Sequence, residues 1–373
     1  MKKIAIINTL PIPSGNASVN RFLSYSKGLV ELGHQVTILS SAQNDIAEIE
    51  LDGVKCYNLG TKYKFSLLIA LLRILKNILS SEYDFIILVS NSLLLIYPIA
   101  LISKITGIKL LQEKSEFPFV LMKNGMISKI KAAIYVNTTY RLFDGLIVMT
   151  KPLMKYFQYK VSSKCKMIEI PMTVDFSRFQ IKKEKTNFGE YIAYCGNMSG
   201  NKDGIYNLID SFYYIEKARY SIKLLMIGGT NKEEEFDAIK KYVKELDLKN
   251  VIFYGKASRE EIPSLLVNAK ILALARPSGL QSSGGFPTKL GEYLSTGNPI
   301  VVTSVGDIPL YLNTVNSYIV RADDNEAFAG QIKSILDNYE EAMKKSVLGK
   351  KLAKTIFNSV VQAKRLSDYL NEF

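Results

Sequence analysis

Residues 273–303 bring a cation, a hydroxyl group and a carboxylate together with a glycine-rich loop. The segment reads ALARPSGLQSSGGFPTKLGEYLSTGNPIVVT, which predicts a strand, a Ser/Gly-rich loop, a helix beginning at about Thr288 and a second strand. Thr288 offers a hydroxyl group, Lys289 an ammonium group, and Glu292 a carboxylate one turn further along. Glycines let a ligand approach the backbone, and a helix N-terminus presents N–H groups to an anion. The segment therefore predicts a site for a phosphate-bearing ligand such as a nucleotide.

Further basic residues follow other strand-like runs in the same half of the chain. Lys202 lies in the loop after residues 191–194, Lys256 directly follows another apolar run, and Arg276 ends the run 271–275. Because ligands bind at the carboxyl ends of the strands in open α/β sheets, these cations are candidates for stabilising an anionic ligand. For the two lysines the alternative is an ordinary solvent-exposed loop position. If Lys256 contacts a nucleotide, we expect it near the base.

Strand-like apolar runs alternate with helix-length segments twice along the chain. Such short runs are typical of buried parallel strands, so we expect an α/β protein with two doubly wound parallel sheets. The length of 373 residues also favours two domains, and the stretch from Pro171 to Asn187 is the best linker candidate. The expected strands are 3–7, 35–39, 85–89, 109–111 and 145–149, then 191–194, 223–227, 251–254, 271–275 and 299–303.

Composition excludes several classes of protein. Hydrophobic residues at 47% and charged residues at 22% are ordinary for a soluble globular chain. One histidine and three widely spaced cysteines cannot assemble a zinc site. The N-terminus lacks the apolar region of a signal peptide, and the longest apolar run, Leu93–Ile102, is shorter than the roughly 20 residues of a membrane-spanning helix. We therefore expect a cytoplasmic protein that binds no metal.

The positive charge is concentrated in the first half of the chain. Residues 1–170 contain 21 Lys and Arg against 11 Asp and Glu, and residues 171–373 contain 27 against 24. A basic half predicts an anionic partner, and without a nucleic-acid-binding motif an anionic membrane surface is the better candidate. Two segments mix cations with apolar residues in the manner of surface-lying helices. Thr61–Ser80 is interpreted as a core helix with basic ends, and for Lys123–Arg141 the membrane and core interpretations stay open.

Ordered segments along the chain resemble the motifs of the family 4 glycosyltransferases, which have the GT-B fold. They are Lys3–Asn8 with Pro13–Arg21 and Leu32–Leu39, then Ile170–Phe179, Tyr194–Gly204 and Ala273–Thr303. The resemblance implies two Rossmann-like domains facing across a cleft, here 1–170 and 171–354, with a last helix at about 355–373 returning to the first domain. It also implies retaining, metal-independent sugar transfer from a nucleotide diphosphate sugar. The acceptor would be a hydroxyl of a lipid-linked or polysaccharide glycan, as in lipopolysaccharide synthesis, with the donor on the second domain.

The resemblance assigns roles to the candidate residues. Glu292 matches the glutamate that holds the nucleotide ribose, and Lys202 matches the lysine that neutralises the diphosphate leaving group. In the first domain, Gly15 belongs to a loop that approaches phosphate and acceptor, with Arg21 as a further polar contact. Glu116 either binds the acceptor or the sugar, or caps a helix. The remaining donor-side residues are Gly284, Gly285 and Phe286 near the sugar and Thr288 and Lys289 near the β-phosphate.

Three positions depart from the motifs of the family. Gly284 stands where a glutamate touches the donor sugar, and Ser115 stands where a histidine is common. Asn197 replaces a diphosphate-binding arginine, so we expect Arg276 to substitute for it, with Lys289 as the other basic residue nearby. These departures leave two alternatives to a glycosyltransferase. One is a catalytically inactive glycosyltransferase-like subunit. The other is a GT-B sugar-nucleotide epimerase, against which the single histidine counts.

Overall fold

The computed structural model describes residues 1–63, 65–118, 126–200, 202–279, 282 and 284–373, without the side chains of 126–129 and 131. The chain divides into two compact units. The first contains residues 1–173 together with 359–373, and the second contains residues 174–358. The corresponding sequence-based limits are 170 for the boundary and about 355 for the return of the chain.

The first unit is built on an eight-stranded sheet with the order β3-β4-β2-β1-β5-β6-β7-β8. Every neighbouring pair is parallel except β3 and β4, which are antiparallel. The strands are β1 (Lys3–Asn8), β2 (Gln35–Ser40), β3 (Glu48–Leu51), β4 (Val54–Asn58), β5 (Phe85–Val89), β6 (Lys109–Lys114), β7 (Gly145–Val148) and β8 (Lys166–Glu169). The helices are α1 (Ala17–Glu31), α2 (Ser66–Ser80), α3 (Leu93–Thr106), α4 (Met126–Thr138), α5 (Lys151–Phe157) and, from the end of the chain, α13 (Ser359–Leu370).

Helices cover both faces of this sheet. The connection through α1 runs one way along the strand order, and those through α2 to α5 run the other way. Because parallel crossovers are right-handed, α2 to α5 lie on the face opposite α1. Helix α13 packs against α1, where a Cβ on Gly28 would lie 2.6 Å from the Cβ of Ala363. The histidine His34 joins the same face through Ser367, with 2.8 Å between Nε2 and Oγ.

A buried arginine of the first unit contacts the segment that directly follows β8. The guanidinium of Arg21 donates to Glu113 Oε1 at 2.6 Å and to the carbonyl oxygens of Ile170 and Pro171. Tyr25 donates to the second oxygen of Glu113. Buried charges are tolerated when they are paired and fully hydrogen-bonded, as this pair is. The expectation that Arg21 contacts a ligand is therefore wrong in this structure, since its donors are used inside the core.

The second unit has a six-stranded, fully parallel sheet with the order β11-β10-β9-β12-β13-β14. Its strands are β9 (Tyr191–Asn197), β10 (Lys223–Gly229), β11 (Val251–Gly255), β12 (Ile271–Leu274), β13 (Ile300–Thr303) and β14 (Tyr318–Val320). Its helices are α6 (Ile205–Lys217), α7 (Glu233–Glu245), α8 (Glu261–Val267), α9 (Lys289–Thr296), α10 (Ile308–Tyr311), α11 (Asn325–Asp337) and α12 (Tyr339–Thr355). The expected doubly wound sheets are thus confirmed.

A lysine is buried at the carboxyl end of β6 in the first unit. The ammonium group of Lys114 donates to Asn91 Oδ1 and to the hydroxyl of Tyr135, and it lies 4.8 Å from the centre of the Tyr135 ring. Asn91 and Tyr135 are both neutral partners. Burial lowers the pKa of Lys114 from 10.5 to about 7. A lysine in such surroundings is costly to the fold while it is charged.

Replacing Lys114 by methionine should stabilise the protein in a pH-dependent way. The folded-state pKa lies below the unfolded one, so the cost is fully present below about pH 7 and disappears as pH rises through 10.5. At pH 6.5 the free energy of unfolding of Lys114→Met should therefore exceed that of wild type by at least about 1 kcal/mol, because a shift of one pKa unit corresponds to about 1.4 kcal/mol. Urea denaturation at pH 6.5 and pH 9.5 measures the gain, which should shrink at the higher pH.

The exposed Lys155→Met is the matched control, and its stability difference should not change with pH. Equal stability of Lys114→Met and wild type at both pH values would contradict the buried-amine description.

Candidate functional site

The carboxyl edge of the second sheet collects most of the predicted site residues. Asn197 ends β9, Lys202 lies in the following loop, Lys256 follows β11, and Arg276 comes two residues after β12. The predicted donor-side loop and α9 come next, between β12 and β13. Because all six strands are parallel, these loops share one edge, as expected for a ligand site in an open α/β sheet.

An acidic residue that the motifs did not single out organises the cations at this edge. Asp203 Oδ2 accepts a hydrogen bond from the ammonium group of Lys289, and Asp203 Oδ1 lies 3.6 Å from Arg276 Nε. Tyr194 donates its hydroxyl proton to Asp203 Oδ2 at 3.1 Å and accepts from Lys289 Nζ at 3.1 Å. We call these four residues the Asp203 cluster. It joins the end of β9, the loop before α6, the segment after β12 and the start of α9.

The electrostatics of the Asp203 cluster favour an anion. Burial alone would raise the pKa of Asp203, but Lys289 and Arg276 outweigh it and hold that pKa below its usual 3.8. Asp203 is therefore ionised at neutral pH and offsets one of its two cations. With the exposed Lys202 beside it, the edge keeps a positive balance. Fixed positive charge of this kind stabilises an anionic group without reorganisation.

Two glycines make the close packing of this cluster possible. A Cβ on Gly196 would lie 2.2 Å from Lys289 Nζ, so the lysine side chain crosses the backbone of β9 directly. Gly204 has φ +69°, and a Cβ there would lie 1.8 Å from the carbonyl oxygen of Ala275. Only glycine fits such contacts and such a backbone conformation. These glycines bring the Lys202–Asp203 loop against the end of β12.

Arg276 does not stand free at the edge as the sequence suggested. The residue is only 1% exposed, and its Nε donates to the backbone carbonyl oxygen of Lys202 at 3.3 Å. Its own carbonyl oxygen accepts from Thr303 Oγ1 at 2.7 Å. The guanidinium thus holds the Lys202 loop in place from behind. Lys289, with 12% of its side chain exposed, is the cation that lies next to Gly196 and Asn197.

Glu292 lies in the first turn of α9, as expected. Its carboxylate is half-buried, and Arg178 Nη1 lies 4.0 Å from Oε1. Burial raises the pKa of Glu292, and the charge of Arg178 opposes this effect in part. The helix itself is anchored by Tyr293, whose hydroxyl accepts from the backbone N–H of Cys195 at 2.8 Å. Glu292 is therefore held near the end of β9 by the packing of its neighbour.

The loop before α9 differs in detail from the expectation. Gly284 is buried and Gly285 half-buried, but the Phe286 ring packs 5.5 Å from the rings of Tyr311 and Phe357. The Phe286 side chain belongs to this aromatic core, which leaves its backbone as the part that can meet a ligand. The amides of Leu290 and Gly291 already donate to the carbonyl oxygens of Pro287 and Thr288. The helix N-terminus therefore offers fewer N–H groups than the sequence suggested. The Thr288 side chain makes no capping hydrogen bond.

The remaining predicted residues are placed as follows. Asn197 is exposed, and its side chain accepts from the Ser199 amide at 2.7 Å. Lys256 is exposed, and its alkyl chain passes 3.7 Å from where a Gly229 Cβ would stand. Gly15 is exposed with open space around it, so the fold itself does not demand glycine there.

Gly15 and Glu116 belong to the first unit, whereas the Asp203 cluster belongs to the second. Glu116 follows β6 and is half-buried. The segment predicted to meet a membrane, Lys123–Arg141, falls largely outside the described side chains, since Lys123, Lys129 and Lys131 are not among them.

Sequence reasoning missed Asp203, Tyr194 and Arg178. Asp203 directly follows Lys202 in a loop already marked as functional, and an acid beside a predicted phosphate cation was a usable signal. Tyr194 begins the Tyr194–Gly204 segment, but no role was predicted for its side chain. Nothing in the local pattern around Arg178 pointed to its position opposite Glu292, because that pairing joins residues 114 positions apart.

Neither of two surface depressions in this unit, each about 720 Å³, is lined by a predicted site residue. Among the described side chains, no group of three or more His, Cys, Asp and Glu is arranged to hold a metal ion. Within the same residues, no helix is both long and apolar enough to cross a membrane.

Part of the second unit matches a known protein family. Residues 189–338 match the family described as Glycosyl transferases group 1. The chain is also similar to the capsular polysaccharide biosynthesis glycosyltransferase CapM of Staphylococcus aureus, with 26% identity over 211 residues. That match covers 54% of this chain and 53% of CapM, so the chain spans about half the length of its curated relative.

Solved structures resemble the whole chain. Sucrose-phosphate synthase from Thermosynechococcus elongatus matches with a TM-score of 0.80 and 16% identity, covering 100% of this chain and 99% of that one. Anabaena HepE, solved with UDP and glucose, matches with a TM-score of 0.77 and 14% identity over 100% of both chains. WaaG, a glycosyltransferase involved in lipopolysaccharide biosynthesis, matches with a TM-score of 0.70 and 12% identity over 99% of this chain and 100% of WaaG. The chain therefore has the GT-B fold implied by its resemblance to the family 4 glycosyltransferases, and residues 189–338 of its second unit are similar to the group 1 glycosyltransferases.

Proposed function

We propose that this chain is a retaining, metal-independent hexosyltransferase. It takes a sugar from a nucleotide diphosphate sugar and transfers it to a hydroxyl of a lipid-linked or cell-surface polysaccharide acceptor. The observation that carries this proposal is the Asp203 cluster with Lys202 and Glu292. Cations and a carboxylate lie together at the carboxyl edge of one sheet, in a unit that matches the group 1 glycosyltransferase family over residues 189–338.

The cations would stabilise the departing diphosphate. As the bond to the sugar breaks, its electron pair stays on the β-phosphate oxygen and adds one negative charge to the diphosphate, which already carries two, and positive groups fixed beside it lower the barrier. Lys202 is exposed and would contact the diphosphate directly. Lys289 would take the place of the arginine that Asn197 replaces. Arg276 would act behind them as a positioning residue, through the Lys202 carbonyl.

The names and bound ligands of the relatives support a choice of donor and acceptor. HepE was solved with UDP-glucose, and CapM and WaaG are named for capsular polysaccharide and lipopolysaccharide biosynthesis. UDP-sugars are therefore the first donors to test. A lipid-linked acceptor would bring the protein to the inner face of the cell membrane as a peripheral, cytoplasmic enzyme. The net charge of residues 1–170 supports an anionic surface as partner.

A catalytically inactive subunit is the competing function, because Gly284 and Asn197 replace two motif residues. Both functions predict nucleotide binding. Turnover of a UDP-sugar, by hydrolysis or by transfer to a lipid extract, separates them. Donor binding without any turnover would favour the inactive subunit.

Glu292→Gln should weaken UDP binding roughly tenfold or more. Hydrogen bonds to a charged group contribute about 1.5–3 kcal/mol, and the ribose hydroxyls need a carboxylate acceptor. Because the pKa of Glu292 is raised, wild-type affinity should also begin to fall at a higher pH than for an ordinary glutamate as the solution is acidified. Calorimetry across pH measures both effects, and the pH dependence should flatten in the variant. Wild-type affinity in Glu292→Gln would remove this residue from the site.

Lys289→Met should reduce UDP affinity by roughly tenfold or more, whereas Arg276→Lys should act on kcat and stability more than on affinity. Lys289 would contact the diphosphate, and the Arg276 fork supports the Lys202 loop from within the core. Calorimetry, thermal unfolding and steady-state kinetics on the two variants distinguish these roles. The assignment is reversed if Arg276→Lys loses affinity while Lys289→Met keeps it.

Turnover should survive chelation. The charge stabilisation proposed here comes from Lys202, Lys289 and Arg276. Activity measured before and after treatment with EDTA should agree within error. Loss of turnover with EDTA and its recovery with added Mg²⁺ would contradict the metal-independent mechanism.

A further inference from the structure

Two neighbouring helices of the first unit carry an exposed apolar face. Residues on the outward side of α2 and α3 recur at helical spacings of three, four and seven positions. They are Leu68, Leu72 and Leu79 on α2, and Leu94, Tyr97, Leu101 and Ile105 on α3. We call this set the α2–α3 face. Leu72 is 60% exposed and Ile105 is 70% exposed, so these side chains project well into solvent.

The same helices also bury an apolar stripe on their inner side. On α2 the buried residues are Ala70, Leu71, Ile74 and Ile78, and on α3 they include Leu95, Ile96 and Ile99. A surface helix of a soluble protein normally pairs one apolar stripe with a polar outer face. Helices that are apolar on both sides therefore call for a second apolar contact. Contiguous exposed apolar surface of this kind marks an interaction site.

The charged residues within α2 and α3 all have one sign. Neither Ser66–Ser80 nor Leu93–Thr106 contains an aspartate or a glutamate. The cations Arg73, Lys76 and Lys104 are exposed on these helices. Helix α4, which is joined to α3 by the hydrogen bond between Tyr97 and Thr138, also has no acidic residue in its sequence. Helices α2 and α3 therefore present apolar and positive side chains together, and this combination complements an anionic lipid surface.

We propose that the α2–α3 face inserts into the surface of an anionic phospholipid bilayer, with Leu72, Leu101 and Ile105 among the acyl chains and the cations at the headgroups. The inference rests on the proposed function, for which a lipid-linked acceptor places the enzyme at a membrane. A second copy of the chain fits less well, because a symmetric pair would bring the same cations against each other. The interpretation of Thr61–Ser80 as a core helix holds only for the inner side of α2, since Leu68, Leu72 and Leu79 are exposed.

The absence of tryptophan from the chain allows a direct measurement of insertion. Leu72→Trp introduces the single tryptophan of the protein on the α2–α3 face. With vesicles of phosphatidylglycerol and phosphatidylcholine, its emission should shift to the blue and be quenched by brominated acyl chains. Val347→Trp, at a 63% exposed helical position of the second unit, is the matched control and should show neither effect.

Vesicle sedimentation tests the residues of the face. The triple variant Leu72→Gln, Leu101→Gln and Ile105→Gln should lower the vesicle-bound to free ratio at least tenfold. Replacing Arg73, Lys76 and Lys104 by Gln should abolish the preference for anionic over neutral vesicles. The control Val315→Gln, Val347→Gln and Leu348→Gln removes three other exposed apolar side chains, from the second unit, and should bind as wild type does.

UDP binding should be unchanged in all these variants, since none of them touches the second-unit site. The inference is overturned if wild type ignores anionic vesicles, if the face variant binds them normally, or if Leu72→Trp stays unquenched. It is also overturned if wild type is a dimer that the face variant converts to a monomer. If the wild-type protein does not bind UDP, the proposed function is overturned instead, whatever the result with vesicles.

Discussion

The buried carboxylate of Asp203 sets the electrostatics on which the second unit depends. Without it, Lys289 and Arg276 would face each other in a poorly solvated environment, and like charges there are strongly unfavourable. With it, both cations are held at defined positions, and Tyr194 completes the hydrogen bonding. The same loop carries Gly204, which lets it lie against the end of β12. One acidic residue thus fixes the loop, the two cations and the start of α9.

The candidate functional groups of the two units lie on different parts of the fold. In the second unit they lie at the carboxyl edge of a parallel sheet, where loops from several strands meet. In the first unit they lie on the outer side of a helix layer and at the end of β6, where the buried Lys114 ammonium group donates to two neutral residues, Asn91 and Tyr135. Both features cost stability or solubility, and neither is needed to fold a doubly wound sheet. Such features are where function is to be sought.

Close backbone approach is the structural device that the second unit uses repeatedly. Gly228 has φ +130°, and a Cβ there would lie 1.9 Å from the carbonyl oxygen of Gly196 on the neighbouring strand. Gly196 in turn leaves room for the Lys289 side chain. The glycines therefore form a path along the strand ends that only residues without a Cβ can occupy. Gly196 explains why Lys289, at the start of the helix that follows the neighbouring strand β12, can reach the end of β9.

The sequence alone determined the fold class, the presence of two successive sheets and the sheet edge at which most of the candidate residues lie, because buried parallel strands are short apolar runs and their carboxyl ends coincide. It missed β3, β4, β8 and β14, which lie at or near sheet edges and lack a fully apolar pattern. Only the tertiary structure decided which side chains meet. The pairings Asp203–Lys289, Arg178–Glu292 and Arg21–Glu113 join residues more than 80 positions apart, and no local periodicity encodes such distances. It also decided that Arg276 lies in the core and that the leucines of α2 and α3 face outward. An apolar helix has the same sequence pattern whether its second face meets protein or lipid, and only the packing of its neighbours distinguishes the two.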